Sequence, residues 1–268
     1  MDKTELSIII VDYKSQKFTV ALVADLKKKL ARIKHEIIIV DNDPGSDTDV
    51  VIARSLSKHS NVKIIKAKEN KGFGSGNNLG AKEATGEYLW LLNPDTEIFE
   101  NTAEELLDFM AKHSEAGAVT PLILQADKKT PQRHFFGKFQ SLSRIILRDS
   151  AGSLPKNPAD FFYADMITAA GLMISRKNYE KVNGFDENIF MYLEDEDFCR
   201  RLSEIGLKNA VLTTAKIIHF EGQSSTTFEK KKFYYQSQDY YWQKHYGFFR
   251  TMLMKIMRLP YVWIQQIN

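Results

Sequence analysis

The first hundred residues alternate β-branched runs with helical patterns, and this alternation restricts the fold more than any other feature of the chain. Four runs are strand-like: Leu6 to Val11, Glu36 to Val40, Val62 to Lys66 and Tyr88 to Leu92. Between the first two, Lys17 to Ile33 carries apolar residues at helical spacing. A β-α-β-α-β order favours a parallel sheet with helices on both faces, and ligands of such sheets bind beyond the carboxyl ends of the strands.

Polar residues follow three of these strands. The segments are Asp12-Tyr13, Asp41-Asn42-Asp43 and Asn93-Pro94-Asp95. A helix N-cap or an Asx turn explains any one of them. Together they predict one edge of the sheet that collects negative charge and needs a cation or hydrogen-bond donors.

A glycine-rich segment, Asn70 to Gly80, follows the third strand. Alternating glycines let a backbone approach a ligand closely. The G-x-G-x-x-G spacing of dinucleotide folds is absent, and no lysine followed by Ser or Thr comes after a glycine loop, which disfavours a nicotinamide site and a P-loop. Taken alone, the segment fits a tight strand-to-helix turn as well as a ligand loop.

The second half is less regular. Its proline-containing stretch Gln125 to Tyr163 is predicted to be a long excursion over one face. Later elements are predicted as a strand at Ala169 to Ser175, a helix near Lys177 to Val182, and a strand at Ala215 to Ile218 that ends at His219.

Four consecutive acids, Glu194 to Asp197, begin a predicted helix whose apolar face holds Phe198, Leu202 and Ile205. At about 100° per residue, Glu194 and Asp195 lie beside that face. Acids in a first turn complement the helix dipole, which explains the pair without any chemistry. An acid beside an apolar face is also partly desolvated, which makes it a better proton acceptor, so Asp195 is equally a candidate base.

The other two acids, Glu196 and Asp197, are predicted to point away from the apolar face. They precede Arg200 and Arg201 by four residues, a spacing that stabilises a helix by about 0.2 to 0.5 kcal/mol per ion pair. We therefore predict a role on the helix surface for them.

The chain's net charge of +3 is unevenly distributed. From Lys230 to Asn268 there are seven basic residues and one acid, so this part carries +6 and the rest −3, which suggests an anionic partner. Phe233 to Gly247 is aromatic, and Pro260 is expected to interrupt any helix beyond it. Either a helix packs on the core here, or a basic amphipathic segment lies on an anionic membrane with Tyr261 and Trp263 at the headgroups.

The chain has no run of about 18 apolar residues, and the acids Asp2 and Glu5 precede its first apolar run, so neither a spanning helix nor a signal peptide is expected. Its single cysteine, Cys199, forms no internal disulfide, which fits a reducing compartment. We expect a cytoplasmic protein and no nucleic-acid partner.

The ordered motifs resemble family 2 glycosyltransferases with a GT-A fold, and among them the bacterial rhamnosyltransferase-like branch. The matching segments are Ser7-Ile-Ile-Ile-Val-Asp-Tyr13, Ile39-Val-Asp-Asn42, Asn70 to Asn78, Leu91-Leu-Asn-Pro-Asp-Thr96, Gly184-Phe-Asp-Glu187, Phe190 to Asp197 and His219-Phe-Glu-Gly222. The resemblance implies a mostly parallel central sheet flanked by helices, over residues 1–225. Residues 1–100 would form its nucleotide-binding half, residues 101–225 its acceptor and catalytic half, and residues 226–268 a helical extension.

The resemblance also implies roles for single residues in an inverting sugar transfer. Asp195 would act as the base with Glu194 beside it, and Asp95, with His219, would hold Mg²⁺ or Mn²⁺ on the donor diphosphate. Asp12 and Asp41 would contact the base and ribose of the nucleotide. The full donor-binding set is Asp12, Tyr13, Asp41, Gly72, Phe73, Gly74, Asn77 and Asn93. The implied reaction moves rhamnose from dTDP-rhamnose to a polysaccharide or polyprenyl-diphosphate-linked glycan, on the inner face of the cell membrane.

The sequence departs from the family pattern at three places. Val11-Asp12-Tyr13 stands where V-N-Y is common, Pro44 where D-N-x-S has its serine, and Asn93 where the metal motif has aspartate. A UDP- or GDP-linked donor is an open alternative. A sugar nucleotidyltransferase is disfavoured because Asp12 to Ser15 lacks glycine. A non-catalytic binding module is disfavoured because Asp195 is present.

Overall fold

The structure, a computed structural model, describes residues 4–45, 47–56, 61–147, 152–155, 158–220 and 227–267, with the side chains of 227–230 and 260–267 excepted. The strands are β1 (Leu6–Asp12), β2 (His35–Asp41), β3 (Val62–Lys66), β4 (Tyr88–Leu92), β5 (Thr96–Ile98), β6 (Ala116–Leu124), β7 (Phe136–Gly137), β8 (Phe161–Ala164), β9 (Met166–Ile167), β10 (Gly171–Ser175) and β11 (Lys208–His219). The helices are α1 (Gln16–Lys29), α2 (Thr48–Leu56), α3 (Phe73–Glu83), α4 (Thr102–Lys112), α5 (Leu142–Leu147), α6 (Arg176–Lys181), α7 (Glu194–Glu204) and α8 (Thr227–Ile267).

Several sequence predictions fall outside the described residues. They are Asp2, the Glu221-Gly222 part of the last family motif, and the side chains of Lys230, Tyr261 and Trp263. The predicted boundary between residues 225 and 226 also lies there and stays a prediction.

A central sheet carries the fold, with strand order β3-β2-β1-β4-β10-β6-β11-β5 and β8 paired to β11. The first four strands in this order run parallel, and β11 is parallel to β6, whereas β10 is antiparallel to both of its neighbours. Every residue of β1 is buried, as expected of a parallel strand covered on both faces. The predicted α/β fold with helices flanking a central sheet is confirmed.

The second half contains more regular structure than its sequence indicates. The stretch predicted as an excursion, 125–163, includes β7, α5 and most of β8. The strand predicted at Ala215 to Ile218 is the end of β11, whose register against β6 shifts between Leu212 and Lys216. That irregularity breaks the alternation on which strand prediction depends.

The last helix, α8, is divided at Gly247 (φ 77°, ψ 176°). The predicted interruption at Pro260 is wrong, because the helix continues to Ile267. We call residues 227–246 the first arm and 248–267 the second arm. In the first arm, Tyr241 and Trp242 are buried against α5. The second arm folds back on the first, since Arg258 donates a hydrogen bond to Gln238 (2.8 Å).

Within the described part of the chain, no helix combines the length and the apolar character that crossing a bilayer requires.

Candidate active site

Asp12 and Asp41 lie at adjacent positions on β1 and β2, at the carboxyl edge of the sheet. Both are buried. The carboxylate of Asp12 accepts hydrogen bonds from the Ser15 backbone N–H (3.1 Å) and the Thr19 hydroxyl. That of Asp41 accepts from the backbone N–H groups of Asp43 (3.0 Å) and Asp49 (3.2 Å). Burial raises the pKa of both, and these hydrogen bonds oppose the rise. The contacts are those of turns and caps; a donor-binding role stays a prediction.

The glycine-rich segment begins beside the end of β2. The Asn42 side chain donates to Asn70 Oδ1 (3.0 Å) and to the Gly72 carbonyl (3.2 Å). Gly72 has φ 98° and ψ 179°, a conformation that belongs almost only to glycine. A Cβ there would lie 1.8 Å from the carbonyl oxygen of Phe190. Only glycine therefore allows this segment to touch the loop that precedes α7.

The other predicted donor contacts in this region have internal partners. The ring of Phe73, the first residue of α3, packs edge-on against Phe185. A Cβ on Gly74 would also meet that side chain, at 2.8 Å. The Asn77 amide donates to the Phe73 carbonyl (3.0 Å) within the same helix. The half-buried Tyr13 lies with Lys14 Nζ 5.1 Å from the centre of its ring.

Asn78, one residue beyond the predicted set, connects α3 to the loop before α7. Its Oδ1 accepts from the Tyr179 hydroxyl (2.7 Å) and the Phe185 N–H (2.8 Å). Its Nδ2 donates to the Phe185 carbonyl and to Glu187, both at 2.9 Å. The sequence offers only its place in the Asn77-Asn78 motif as a signal, because its partners lie about a hundred residues later.

Asn93, Asp95 and His219 meet where β5 pairs with the end of β11. His219 Nε2 lies 3.3 Å from Asp95 Oδ1 and 3.2 Å from Asn93 Nδ2. Gln132 Nε2 donates to the His219 carbonyl, so Gln132 Oε1 faces His219 Nδ1 (3.0 Å) and makes it a donor. In the neutral ring, Nε2 is then an acceptor and a potential metal ligand.

This arrangement fits a divalent cation. Asn93 Oδ1 is buried and has no hydrogen-bond partner in the described structure. An acceptor Nε2 facing a carboxylate is favourable only if a proton or a cation lies between them. The described residues contain no cluster of three or more His, Cys, Asp or Glu side chains able to hold a metal. Mg²⁺ at phosphate-transfer sites needs only one or two carboxylates, since substrate phosphates supply further ligands.

The helix α7 begins with the two remaining candidates, Glu194 and Asp195. They follow Tyr192 (φ 67°) and Leu193 (φ 65°), two consecutive left-handed residues that store backbone strain. Glu194 Oε2 and Asp195 Oδ1 are buried and lack a hydrogen-bond partner among the described residues. Asp195 Oδ2 accepts from the Thr168 hydroxyl (3.0 Å). Burial raises the pKa of both carboxyls, and the charge of Asp195 raises that of Glu194 further.

Asp197, predicted to lie on the helix surface, is fully buried, and that prediction is wrong. It accepts from Arg201 Nε (2.8 Å), the predicted partner, but also from His245 Nε2 and Lys244 Nζ, both at 2.7 Å. Burial alone would raise its pKa, yet these three partners hold the pKa below the ordinary value. The first arm of α8 covers this side of α7, which the periodicity of α7 alone does not reveal.

Glu196 is also buried, again contrary to prediction. It accepts from the Gln140 backbone N–H, and burial raises its pKa to about 7. Gln140 Oε1 in turn accepts from Trp242 Nε1 of the first arm (2.8 Å). Arg200, its predicted partner, forms an ion pair with Glu204 (3.4 Å) instead. Ile205, predicted on the apolar face, follows the last helical residue and is 49% exposed.

Comparison with known families gives two matches. Residues 7–167 match the family described as glycosyl transferase family 2, and residues 153–238 match the N-terminal domain of galactosyltransferase.

Three curated relatives are similar along most of the chain. The rhamnosyltransferase WbbL of Escherichia coli is 28% identical over 240 residues, which cover 84% of this chain and 87% of WbbL. The low-salt glycan biosynthesis hexosyltransferase Agl10 of Haloferax volcanii is 27% identical, with 84% and 70% covered. The N-acetylglucosaminyl-diphospho-decaprenol L-rhamnosyltransferase of Mycobacterium tuberculosis is 26% identical, with 70% and 67% covered.

Among solved structures, GalNAc-T7 with UDP, GalNAc and Mn²⁺ superposes with a TM-score of 0.63 at 15% identity. The superposition covers 97% of this chain and 54% of that one, so the chain spans about half of its length. At this identity the similarity establishes the GT-A fold and nothing finer.

Proposed function

This chain belongs to glycosyl transferase family 2, and from that membership we propose that it transfers rhamnose from dTDP-rhamnose, with inversion, to a glycan acceptor in cell-surface polysaccharide synthesis. The acceptor is lipid-linked or part of a polysaccharide. The names of the E. coli and M. tuberculosis relatives support rhamnose, and the second name supports a polyprenyl-diphosphate-linked acceptor. A UDP- or GDP-linked donor is the alternative, because the superposed GalNAc-T7 structure contains UDP.

The observation that carries the proposal is the pair at the start of α7, the buried Glu194 and the half-buried Asp195, each with one buried oxygen that lacks a partner in the described structure. A buried carboxylate oxygen without a hydrogen-bond partner costs free energy. We therefore expect such an oxygen where a bound ligand supplies the missing hydrogen bond. Asp195 Oδ1 is such an oxygen, and the Thr168 hydroxyl holds the other oxygen of the same carboxylate. Gly72 brings the predicted donor loop into contact with Phe190, five residues before Asp195. Donor and base therefore belong to one continuous site.

In the proposed reaction, the acceptor hydroxyl attacks the anomeric carbon from the side opposite the diphosphate. The new C–O bond forms as the bond to the diphosphate breaks, and the nucleoside diphosphate leaves with the electron pair. Asp195 accepts the hydroxyl proton, and its raised pKa suits that task. The charge of Asp195 raises the pKa of Glu194, so the proposal takes Glu194 as the protonated member of the pair and Asp195 as the ionised one.

The proposal includes Mg²⁺ or Mn²⁺, held by Asp95 and His219 with Asn93 beside them. A bound cation supplies positive charge to the departing diphosphate. Peripheral contact with an anionic membrane surface, on the cytoplasmic face, brings the enzyme to a lipid-linked acceptor.

A panel of nucleotide sugars tests the proposal, assayed for nucleoside diphosphate release with Mg²⁺, with Mn²⁺ and with a chelator. We expect release from dTDP-rhamnose in the presence of metal, and loss of release with the chelator. Asp95→Asn should raise the metal concentration needed for half-maximal activity. Glu97→Gln is the matched control, because Glu97 lies two residues away and pairs with Lys128 (2.9 Å).

Two outcomes would contradict the proposal. Faster release from a UDP- or GDP-linked sugar overturns the choice of donor. Diphosphate formation from a sugar phosphate and a nucleoside triphosphate would indicate a nucleotidyltransferase instead.

A further inference from the structure

The second arm of α8 exposes a stripe of large apolar side chains. We call this stripe the apolar face; its members are Phe248 (60% exposed), Phe249 (86%), Met252 (44%), Leu253 (46%), Ile256 (59%) and Leu259 (57%). Their spacing of four residues places them along one side of the helix. The opposite side buries Thr251 and Met254. An apolar patch of this continuity marks an interaction site on a soluble domain.

Among the described side chains of α8, the charges left without an opposite partner are positive. Residues 240–267 contain no aspartate or glutamate. Arg250 is exposed among the apolar residues, and Lys231 and Lys232 are exposed on the first arm. Asp239, an acid of the first arm, already pairs with Lys255 (2.9 Å) and Arg258 (2.8 Å). The surface therefore joins exposed apolar area to unopposed positive charge.

We propose that the apolar face is a docking surface for an anionic lipid bilayer, in which the second arm lies parallel to the membrane plane. Phe248 and Phe249 enter the boundary between headgroups and acyl chains, while Arg250 contacts anionic headgroups. An amphipathic helix with a basic polar side binds such surfaces because it buries apolar area and because its positive charges are attracted to anionic lipids. The inference deepens the proposed function, since it assigns the membrane partner to specific residues.

A second copy of the chain is a poorer occupant for this face. In a two-fold symmetric dimer the same patch meets itself, so the positive charges beside the face in both copies would be brought to one interface. Residues 240–267 offer no acid to balance these charges. An anionic bilayer has the complementary sign.

Docking through this face also orients the catalytic helix. The first arm contacts α7 through Lys244 and His245, both 2.7 Å from the buried carboxylate of Asp197. Asp197 lies two residues after Asp195. The first arm, on which the docked second arm folds back through Arg258 and Gln238, therefore connects the lipid surface to the helix that carries the proposed base.

Vesicle sedimentation with the full chain tests the proposal, without donor or acceptor. The double variant Phe248→Ser/Phe249→Ser is compared with Val50→Ser/Val51→Ser, which removes two exposed apolar residues (41% and 45%) from α2. On vesicles of phosphatidylglycerol and phosphatidylcholine, we expect the first variant to bind at least about tenfold more weakly than the native chain. The α2 variant should bind like the native chain, and Arg250→Glu should weaken binding to anionic vesicles specifically.

Equal binding by the phenylalanine variant and the native chain would overturn the proposal, and so would no binding by the native chain. Analytical ultracentrifugation provides the other decisive outcome: a native dimer that the phenylalanine variant dissociates would assign the face to a second copy. Because these measurements need no turnover, they are independent of the proposed transfer. Inactivity of the native chain in the nucleotide-sugar assay, with vesicle binding intact, would contradict the proposed function alone.

Discussion

The carboxylates at the strand ends and those at the start of α7 all have buried oxygens, although Asp195 as a residue is half-buried, and these oxygens differ in one respect. Asp12 and Asp41 receive a hydrogen bond on each oxygen from nearby backbone or hydroxyl groups. Glu194 and Asp195 each keep one buried oxygen without a partner in the described structure. Satisfied acids stabilise turns, whereas an unsatisfied acid costs about 1 to 3 kcal/mol until another group arrives. Burial alone therefore does not separate the two groups of acids, whereas an oxygen without a partner does; Glu104 and Glu105 of α4 also keep such an oxygen, so the feature does not by itself mark a reactive acid.

The largest expected effect follows from neutralising the unsatisfied acid. Asp195→Asn should lower kcat by about 10²- to 10⁴-fold, because the acceptor hydroxyl loses its proton acceptor. Donor affinity, measured by calorimetry, should stay nearly unchanged. The melting temperature should not fall, since an amide needs less solvation than a buried charge.

Asp108→Asn, on the exposed side of α4, is the control and should leave both kcat and stability unchanged. Native turnover by the Asp195 variant would refute the assignment of the base.

For Asp197, whose carboxylate has hydrogen-bond partners, we expect a loss of stability instead of a primary loss of kcat. Asp197→Asn should decrease the free energy of unfolding by about 3 to 5 kcal/mol, because Arg201, Lys244 and His245 would lose their buried counter-charge. Urea denaturation measures this change. A stability loss no greater than that of Asp195→Asn would break the distinction between satisfied and unsatisfied acids.

The order of ionisation within the pair is tested by Glu194→Gln. Since the charge of Asp195 raises the pKa of Glu194, we expect Glu194 to be neutral when Asp195 ionises, and a neutral glutamine should then leave the acid limb of the kcat/KM pH profile in place. That limb should lie above pH 3.8, the ordinary pKa of aspartate. A shift of the limb to lower pH would show that Glu194 is charged beside Asp195.

Glu194 also has a predictable effect on stability. Its pKa in the folded state is above the ordinary value of 4.5, so its contribution to stability is present below pH 4.5 and is lost as the pH rises through the raised pKa. Thermal unfolding across this range should show a smaller decline for Glu194→Gln than for the native chain. Parallel curves would contradict the raised pKa.

A smaller effect than that of Asp195→Asn is expected from removal of the hydroxyl that donates to Asp195. Thr168→Val removes one hydrogen bond to the ionised carboxylate, worth about 1 to 3 kcal/mol, and should move the acid limb to higher pH. Thr168→Ser keeps the hydroxyl and should restore the native profile. A shifted profile in both variants would point to packing of the threonine methyl group rather than to its hydrogen bond.

The first half of the fold could be predicted closely from sequence. The boundaries of β3 and β4 are as predicted, because each strand appears as a short run rich in β-branched or aromatic residues, although only β4 is largely buried. The meeting of Asp95 with His219 was implied only by family resemblance, since their contact joins residues more than a hundred positions apart. The helix start at Glu194 was also predicted correctly.

The surroundings of α7 could not be predicted in the same way. Helical periodicity gives the direction of Glu196 and Asp197 relative to Phe198, but it contains no information about a second covering element. His245 reaches Asp197 from 48 positions later in the chain. Gly247 rather than Pro260 divides α8 because φ 77° and ψ 176° leave the helical region completely, whereas a proline removes a single backbone hydrogen bond.

Gly247 also determines how far α8 extends from the rest of the domain. An unbroken helix of 41 residues would extend about 60 Å from the domain, at 1.5 Å per residue. The reversal at Gly247 shortens this to a hairpin of about 30 Å and keeps the phenylalanines next to the turn. In the proposed docking, the distance between a bilayer and the proposed base is thus determined by one backbone conformation, and only a residue without a side chain adopts it at low cost.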